Sequence, residues 1–89
     1  LLAKSFQLNI AMGLHLRPAG MLCDCARKYK CRVLIKYKDD GEADAKSILS
    51  VLGAGLIAGD KFEIICSGDD EEEAMSELTS LVESGFGEE

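Results

Sequence analysis

Phe6, Leu8 and Ile10 alternate with Ser5, Gln7 and Asn9. This period-2 pattern belongs to a strand with one buried face and predicts a first strand over residues 4–10. Past Met12 and Gly13 the period lengthens. Ala19, Leu22, Cys23, Ala26 and Tyr29 recur at helical spacing, Pro18 suits a first turn, and Arg27, Lys28 and Lys30 complement the dipole at the far end. A helix beginning near residue 16 is expected. Cys31, Val33, Ile35 and Tyr37 then alternate with Arg32, Leu34, Lys36 and Lys38, Asp39-Asp40-Gly41 turns the chain, and a return strand over residues 42–45 completes a hairpin.

Residues 47–53 carry Ile48, Leu49, Val51 and Leu52, too crowded for a one-faced strand. With Ser47 as N-cap and Gly53 and Gly55 as stops, they predict a short helix. After Ala58-Gly59-Asp60, alternation resumes at Phe62, Ile64 and Cys66, a fourth strand. Asp69 with Glu72 three residues on resembles a capping box, Ala74, Met75, Leu78, Leu81 and Val82 form an apolar stripe, and Gly85 marks the end of a last helix. The order is βαββαβα. Strands that alternate apolar with polar imply a sheet covered on one face only. The expected class is therefore α+β, a two-layer open-faced sandwich of a four-stranded, mainly antiparallel sheet with three helices on one face.

At 89 residues, 47 % of them hydrophobic, the chain makes one domain over residues 1–89. No apolar run approaches the roughly 20 residues of a membrane-spanning helix, and no basic-then-apolar leader opens the chain, so no membrane insertion and a cytoplasmic location are expected. The net charge of −6 is uneven: residues 69–89 hold nine acids and no base, while the first 68 residues set ten bases against seven acids. A nucleic-acid partner is not expected from that distribution, whereas a mildly basic face for an acidic protein partner is. Cys23, Cys25, Cys31 and Cys66 read as buried thiols of a reducing compartment. A metal set built from Cys23, Cys25 and His15 is disfavoured, because residues two apart on a helix point to nearly opposite sides. Nothing resembles a Gly-rich nucleotide loop, so neither metal nor cofactor is expected.

The chemistry concentrates in Gly13-Leu14-His15-Leu16-Arg17-Pro18-Ala19, which holds the sole His and the sole Pro of the chain. It lies where the first strand hands over to the first helix. A helix N-terminus presents unpaired N–H groups and partial positive charge, so the backbone around Leu16, Arg17, Pro18 and Ala19 is a candidate phosphate cradle. Arg17 adds fixed charge and a hydrogen-bonding fork. Neutral imidazole is a nucleophile, and a phosphoryl group placed on His15 brings about two negative charges for that cradle to hold.

This segment resembles the active-site signature of the histidine-containing phosphocarrier protein HPr family of the bacterial phosphoenolpyruvate-dependent sugar phosphotransferase system. Two further stretches are similar to that family: Ala45-Lys46-Ser47-Ile48-Leu49-Ser50-Val51-Leu52, its regulatory serine segment, and Cys66-Ser67-Gly68-Asp69-Asp70-Glu71, the start of its last helix. The resemblance implies that His15 accepts a phosphoryl group on Nδ1 from phosphorylated enzyme I and passes it to the IIA unit of a sugar permease, with Arg17 helping to hold the phosphate. Such a protein is a stoichiometric carrier and not a self-sufficient catalyst, and a monomer is expected. The resemblance also places partner docking on the first two helices, at Leu16, Gly20, Arg27, Ile48, Leu49 and Leu52.

By the same resemblance, Ser47 is the target of a serine kinase/phosphorylase, and the serine-phosphorylated form binds a catabolite-control regulator. A regulatory paralogue, acting mainly as a Ser47-phosphorylated binding module, is the alternative reading. The chain departs from the family pattern at four places. Met12 stands where a small polar residue is usual and Leu16 where Ala or Thr is usual, which makes the rim of the phosphate site more apolar. Ala54 replaces a larger apolar residue after the serine helix, bearing on kinase recognition, and Asp24 adds an acid to the first helix, which opposes docking to an acidic enzyme I.

Overall fold

The computed structural model describes residues 1–87. Its elements are β1 (Leu2–Gln7), α1 (Leu16–Arg27), β2 (Arg32–Tyr37), β3 (Gly41–Asp44), α2 (Ile48–Gly53), β4 (Lys61–Ser67) and α3 (Glu71–Glu83), followed by a 3-10 turn over Gly85–Gly87. The strands lie in the order β1-β4-β2-β3, and every pairing is antiparallel. The architecture is thus the expected α+β open-faced sandwich. Val33, Ile35, Phe62, Ile64 and Cys66 are buried on the face the helices cover, against Leu22, Ala26, Val51, Leu78 and Val82. On the uncovered face, register aligns Ser5, Glu63, Lys36 and Glu42 in one polar row across the sheet.

Several boundaries move, each for a local reason. The β1 ladder spans Leu2–Gln7 and not 4–10, because its partner β4 begins at Lys61, opposite Gln7. The alternation nonetheless continues past it: Leu8 exchanges backbone hydrogen bonds with Asp60 and Gly59 at 2.8 Å, and Leu8 and Ile10 are both buried. The return strand begins at Gly41, where a Cβ would collide with the Tyr37 ring, and Lys38 takes the left-handed conformation in the turn (φ 56°). Helix α1 ends at Arg27, leaving Tyr29 outside it; the Tyr29 hydroxyl donates to the Glu77 carboxylate of α3.

The cap of α3 lies one residue from where its pattern suggests. Gly68 N–H donates to Glu71 Oε1 at 3.0 Å, while the N-cap residue Asp70 turns its carboxylate to the amides of Lys30 and Cys31 (2.8 and 2.9 Å). Those amide bonds hold the Asp70 carboxyl below the ordinary carboxylate range. Beyond Gly85 the chain has a core residue that its hydrophobic pattern does not announce. Phe86, at φ 57°, is buried to 1 % exposure against α1 and α3. No helix of the described residues is long and apolar enough to cross a membrane.

Candidate phosphoryl-acceptor site

The loop from Asn9 to His15 is set by glycine. Gly13 adopts φ +76°, and a Cβ there would lie 2.9 Å from the Leu56 carbonyl oxygen and 3.1 Å from Ile57 Cα. Gly13 N–H donates to Ile10 at 2.9 Å and Leu14 N–H to Leu56 at 3.0 Å, while the Leu14 side chain is buried. The segment that follows α2 therefore backs the loop that delivers His15. Ile57 N–H is itself held by Asp60 Oδ2 at 2.9 Å, and the Ile57 carbonyl accepts from Asp60 N–H at 3.0 Å.

His15 is the N-cap residue of α1, in extended conformation (φ −85°, ψ −171°). Its carbonyl accepts from Ala19 N–H at 2.9 Å, so the helix starts here, yet its ring makes no capping bond to the first turn and is half-buried. A side chain at this position overlooks the helix end instead of joining the helix. Arg17 is exposed one step into α1, and the first turn contains no acid. Within the span from Leu16 to Ala19, Pro18 has no N–H, and that of Ala19 is committed to the His15 carbonyl. The positive end of the helix dipole lies at this turn.

Ser47 is the N-cap of α2, and its Oγ accepts from Ser50 N–H at 3.3 Å. The chain just before it is tied to α1, since the Lys46 carbonyl accepts from Cys23 Sγ at 3.0 Å and from Arg27 Nε at 2.9 Å. Lys46 Nζ in turn donates to the Tyr29 carbonyl at 2.6 Å. Among the residues that resemblance places in docking, Leu16 and Leu49 are 64 % and 79 % exposed. Ile48 and Leu52 are half-buried and pack against the core, a Cβ on Gly20 would lie 3.7 Å from Ile48 Cδ1, and exposed Arg27 serves the Lys46 carbonyl. Sequence reasoning passed over Ile57, an exposed apolar residue seated against Gly13; its one signal was an isoleucine without a periodic partner.

The thiols divide between different neighbours. Cys23 reaches toward α2, Cys25 toward Glu77 on α3, and Cys31 and Cys66 toward each other. Burial followed by the Glu77 charge pushes the Cys25 thiol up to about 11, and burial with the neighbouring Cys31 pushes Cys66 up to about 12. Among the described residues no three His, Cys, Asp or Glu side chains gather as a metal-ligand set.

Residues 2–84 match the sequence model of a family described as PTS-HPr, the PTS HPr component phosphorylation site. The chain is 32 % identical to the phosphocarrier protein HPr of Neisseria meningitidis over 88 residues, covering 99 % of this chain and 98 % of that protein. It is 30 % identical over 80 residues to the HPr-like protein Crh of Halalkalibacterium halodurans, covering 90 % of this chain and 94 % of that one. A crystal structure of HPr from Thermoanaerobacter tengcongensis superposes with a TM-score of 0.94 at 35 % identity, over 100 % of this chain and 99 % of that one. The chain spans only 17 % of the length of the multiphosphoryl transfer protein of Haemophilus influenzae, to which it is 27 % identical over 85 residues.

Proposed function

Because the chain belongs to the HPr family of the phosphotransferase system, whose members exchange phosphoryl groups with enzyme I and IIA proteins, we propose that it is a phosphocarrier working through His15. The His15 Nδ1 lone pair attacks phosphorus on phosphorylated enzyme I. A P–N bond forms as the donor's bond to phosphorus breaks, the donor leaves with that electron pair, and the ring proton stays on Nε2. Arg17 and the amides of Leu16 and Arg17 take up the charge that arrives. Transfer onward to a IIA unit of a sugar permease reverses the step, with the imidazole as leaving group. The observation that carries this reading is the place of His15: the N-cap residue of α1, at an acid-free helix end two residues before Arg17.

The test is incubation with phosphoenolpyruvate and enzyme I, followed by intact mass and phosphorus NMR, with His15→Ala as control. One acid-labile phosphoryl group that disappears in the variant is the expected result. A variant that is still charged, or a wild type that stays uncharged where an ordinary family member is charged, would overturn the proposal.

A second role at Ser47 is favoured by its place at the N-cap of α2, where it is half-buried, and by the similarity to a Crh protein. Phosphate on Ser47 tolerates the helix start but puts negative charge on the α1–α2 face, where it opposes docking of the phosphoryl donor. Under this reading a serine kinase/phosphorylase sets that state, and a catabolite-control regulator reads it. ATP with such a kinase should then yield an acid-stable phosphoserine that is lost in Ser47→Ala.

A further inference from the structure

The loop that delivers His15 is anchored at both ends on one short segment between α2 and β4. At its start, Leu8 N–H donates to the Asp60 carbonyl and Gly59 N–H to the Leu8 carbonyl, each at 2.8 Å. At its end, Leu14 N–H donates to the Leu56 carbonyl at 3.0 Å, and the Gly13 backbone lies against Leu56 and Ile57. The bonds in between, Gly13 N–H to the Ile10 carbonyl and His15 N–H to the Gly13 carbonyl at 2.9 Å, shape the loop without tying it to another element. Helix α1 holds His15 from one side. From the other, its place depends on the shape of residues 56–60, which belong to no helix or strand. Two bonds close that segment on itself: Asp60 N–H donates to the Ile57 carbonyl at 3.0 Å, and Asp60 Oδ2 accepts from Ile57 N–H at 2.9 Å. Only the second depends on a side chain.

Resting on the phosphocarrier reading, we infer that Asp60 is a positioning residue for phosphoryl transfer: its carboxylate, by closing the turn over residues 57–60, fixes the spacing of the two anchors and with it where the loop presents His15. Asp60 acts through Ile57, Leu56 and Leu14 and takes no part in the exchange of bonds at phosphorus. Without its carboxylate the Leu56 carbonyl shifts relative to the Leu8 anchor, and Leu14, directly before His15, follows it. Transfer between two proteins is sensitive to such a shift, because the attacking nitrogen has to meet a phosphorus atom whose place is set by docking elsewhere, and a misplacement of about 1 Å can cost as much as about a hundredfold in rate. A small donor that diffuses to the ring is free of that constraint.

The experiment measures, for each variant, transfer from phosphorylated enzyme I over a range of carrier concentrations, and labelling by the small donor phosphoramidate, which releases ammonia as the imidazole takes its phosphoryl group. In Asp60→Ala, kcat for enzyme I should fall about tenfold, with KM and the phosphoramidate rate within about twofold of wild type. Asp60→Asn keeps an acceptor for the Ile57 N–H and should restore most of the loss. Tyr29→Phe, which removes the bond to Glu77 beyond the opposite end of α1, serves as a destabilised control and should leave kcat unchanged. An Asp60→Ala protein with wild-type kcat, a loss that lies in KM, or an Asp60→Asn protein as slow as Asp60→Ala overturns the inference alone. A wild type that phosphoramidate labels but phosphorylated enzyme I does not would overturn the phosphocarrier reading and this inference with it.

Discussion

The amide of Leu14 donates to the carbonyl of Leu56 at 3.0 Å, joining the loop that carries His15 to the segment that follows the Ser47 helix. The same carbonyl lies 2.9 Å from where a Cβ on Gly13 would fall. Gly13→Ala thus meets two penalties, an unfavourable positive φ and a backbone atom that moves only by breaking the Leu14 bond. A loss of about 1–3 kcal/mol in unfolding free energy is expected, with slower phosphorylation of His15, both read on one preparation by urea titration and phosphoryl incorporation.

Under the phosphocarrier reading, Arg17 does more than carry charge. Its fork matches the oxygens of a phosphoryl group, whereas a lysine supplies a point charge. Arg17→Lys should reduce the rate of phosphoryl acceptance by about tenfold. Equal rates for the two proteins would show that charge alone suffices.

Ser47 has a structural duty that can be separated from any regulatory one. Ser47→Ala removes the cap of α2, worth about 1 kcal/mol or less given the 3.3 Å bond it makes. Ser47→Asp keeps a cap acceptor and adds charge. The aspartate variant should therefore melt near wild type yet take phosphoryl groups from enzyme I more slowly, and the alanine variant should show the opposite combination. Calorimetry and single-turnover phosphorylation tell the two apart.

The acid side of stability is set by carboxylates on α3. Lys30 and Cys31 amides hold the Asp70 carboxyl below its ordinary range, and hydrogen bonds from Lys28 and Tyr29 do the same for Glu77. A group whose pKa is lowered by folding stabilises the fold above its unfolded value and ceases to do so as pH falls through its folded one. The melting temperature should hold from neutrality to the upper edge of the ordinary carboxylate range and decline below it. Asp70→Ala should melt lower at pH 7 and show a shallower decline, so that the gap from wild type narrows with acidification. A gap that stays constant would remove Asp70 from the account.

The parts of this molecule legible in the sequence are those fixed by local periodicity. Val33 and Ile35, Phe62 and Ile64, and the stripe of Ala74, Met75, Leu78 and Val82 all lie on the faces their spacing predicts. His15 was legible for another reason, standing alone of its kind at a strand-to-helix join just before Pro18. What was not legible depends on distant residues. Asp70 caps no turn of its own helix because the Lys30 and Cys31 amides compete for it. Phe86 looks like a residue beyond a helix stop until the 3-10 turn folds it under α1, and Ile57 acquires meaning only when Gly13 lies against it.

The four cysteines should behave as core residues toward thiol reagents. All are buried, Cys25 is pushed up to about 11 by burial and Glu77, and Cys66 up to about 12 by burial and Cys31. A reagent that attacks thiolate at pH 8 finds almost none at those two sites and little access to any of the four. Labelling of the native protein should accordingly be slower than labelling in denaturant by at least about a hundredfold. Fast modification of one thiol in the native state would mean that its element opens locally. Cys23 is the informative case, because its bond to Lys46 ties α1 to the start of the serine helix. Rapid labelling there would mean that α1 and α2 part without global unfolding.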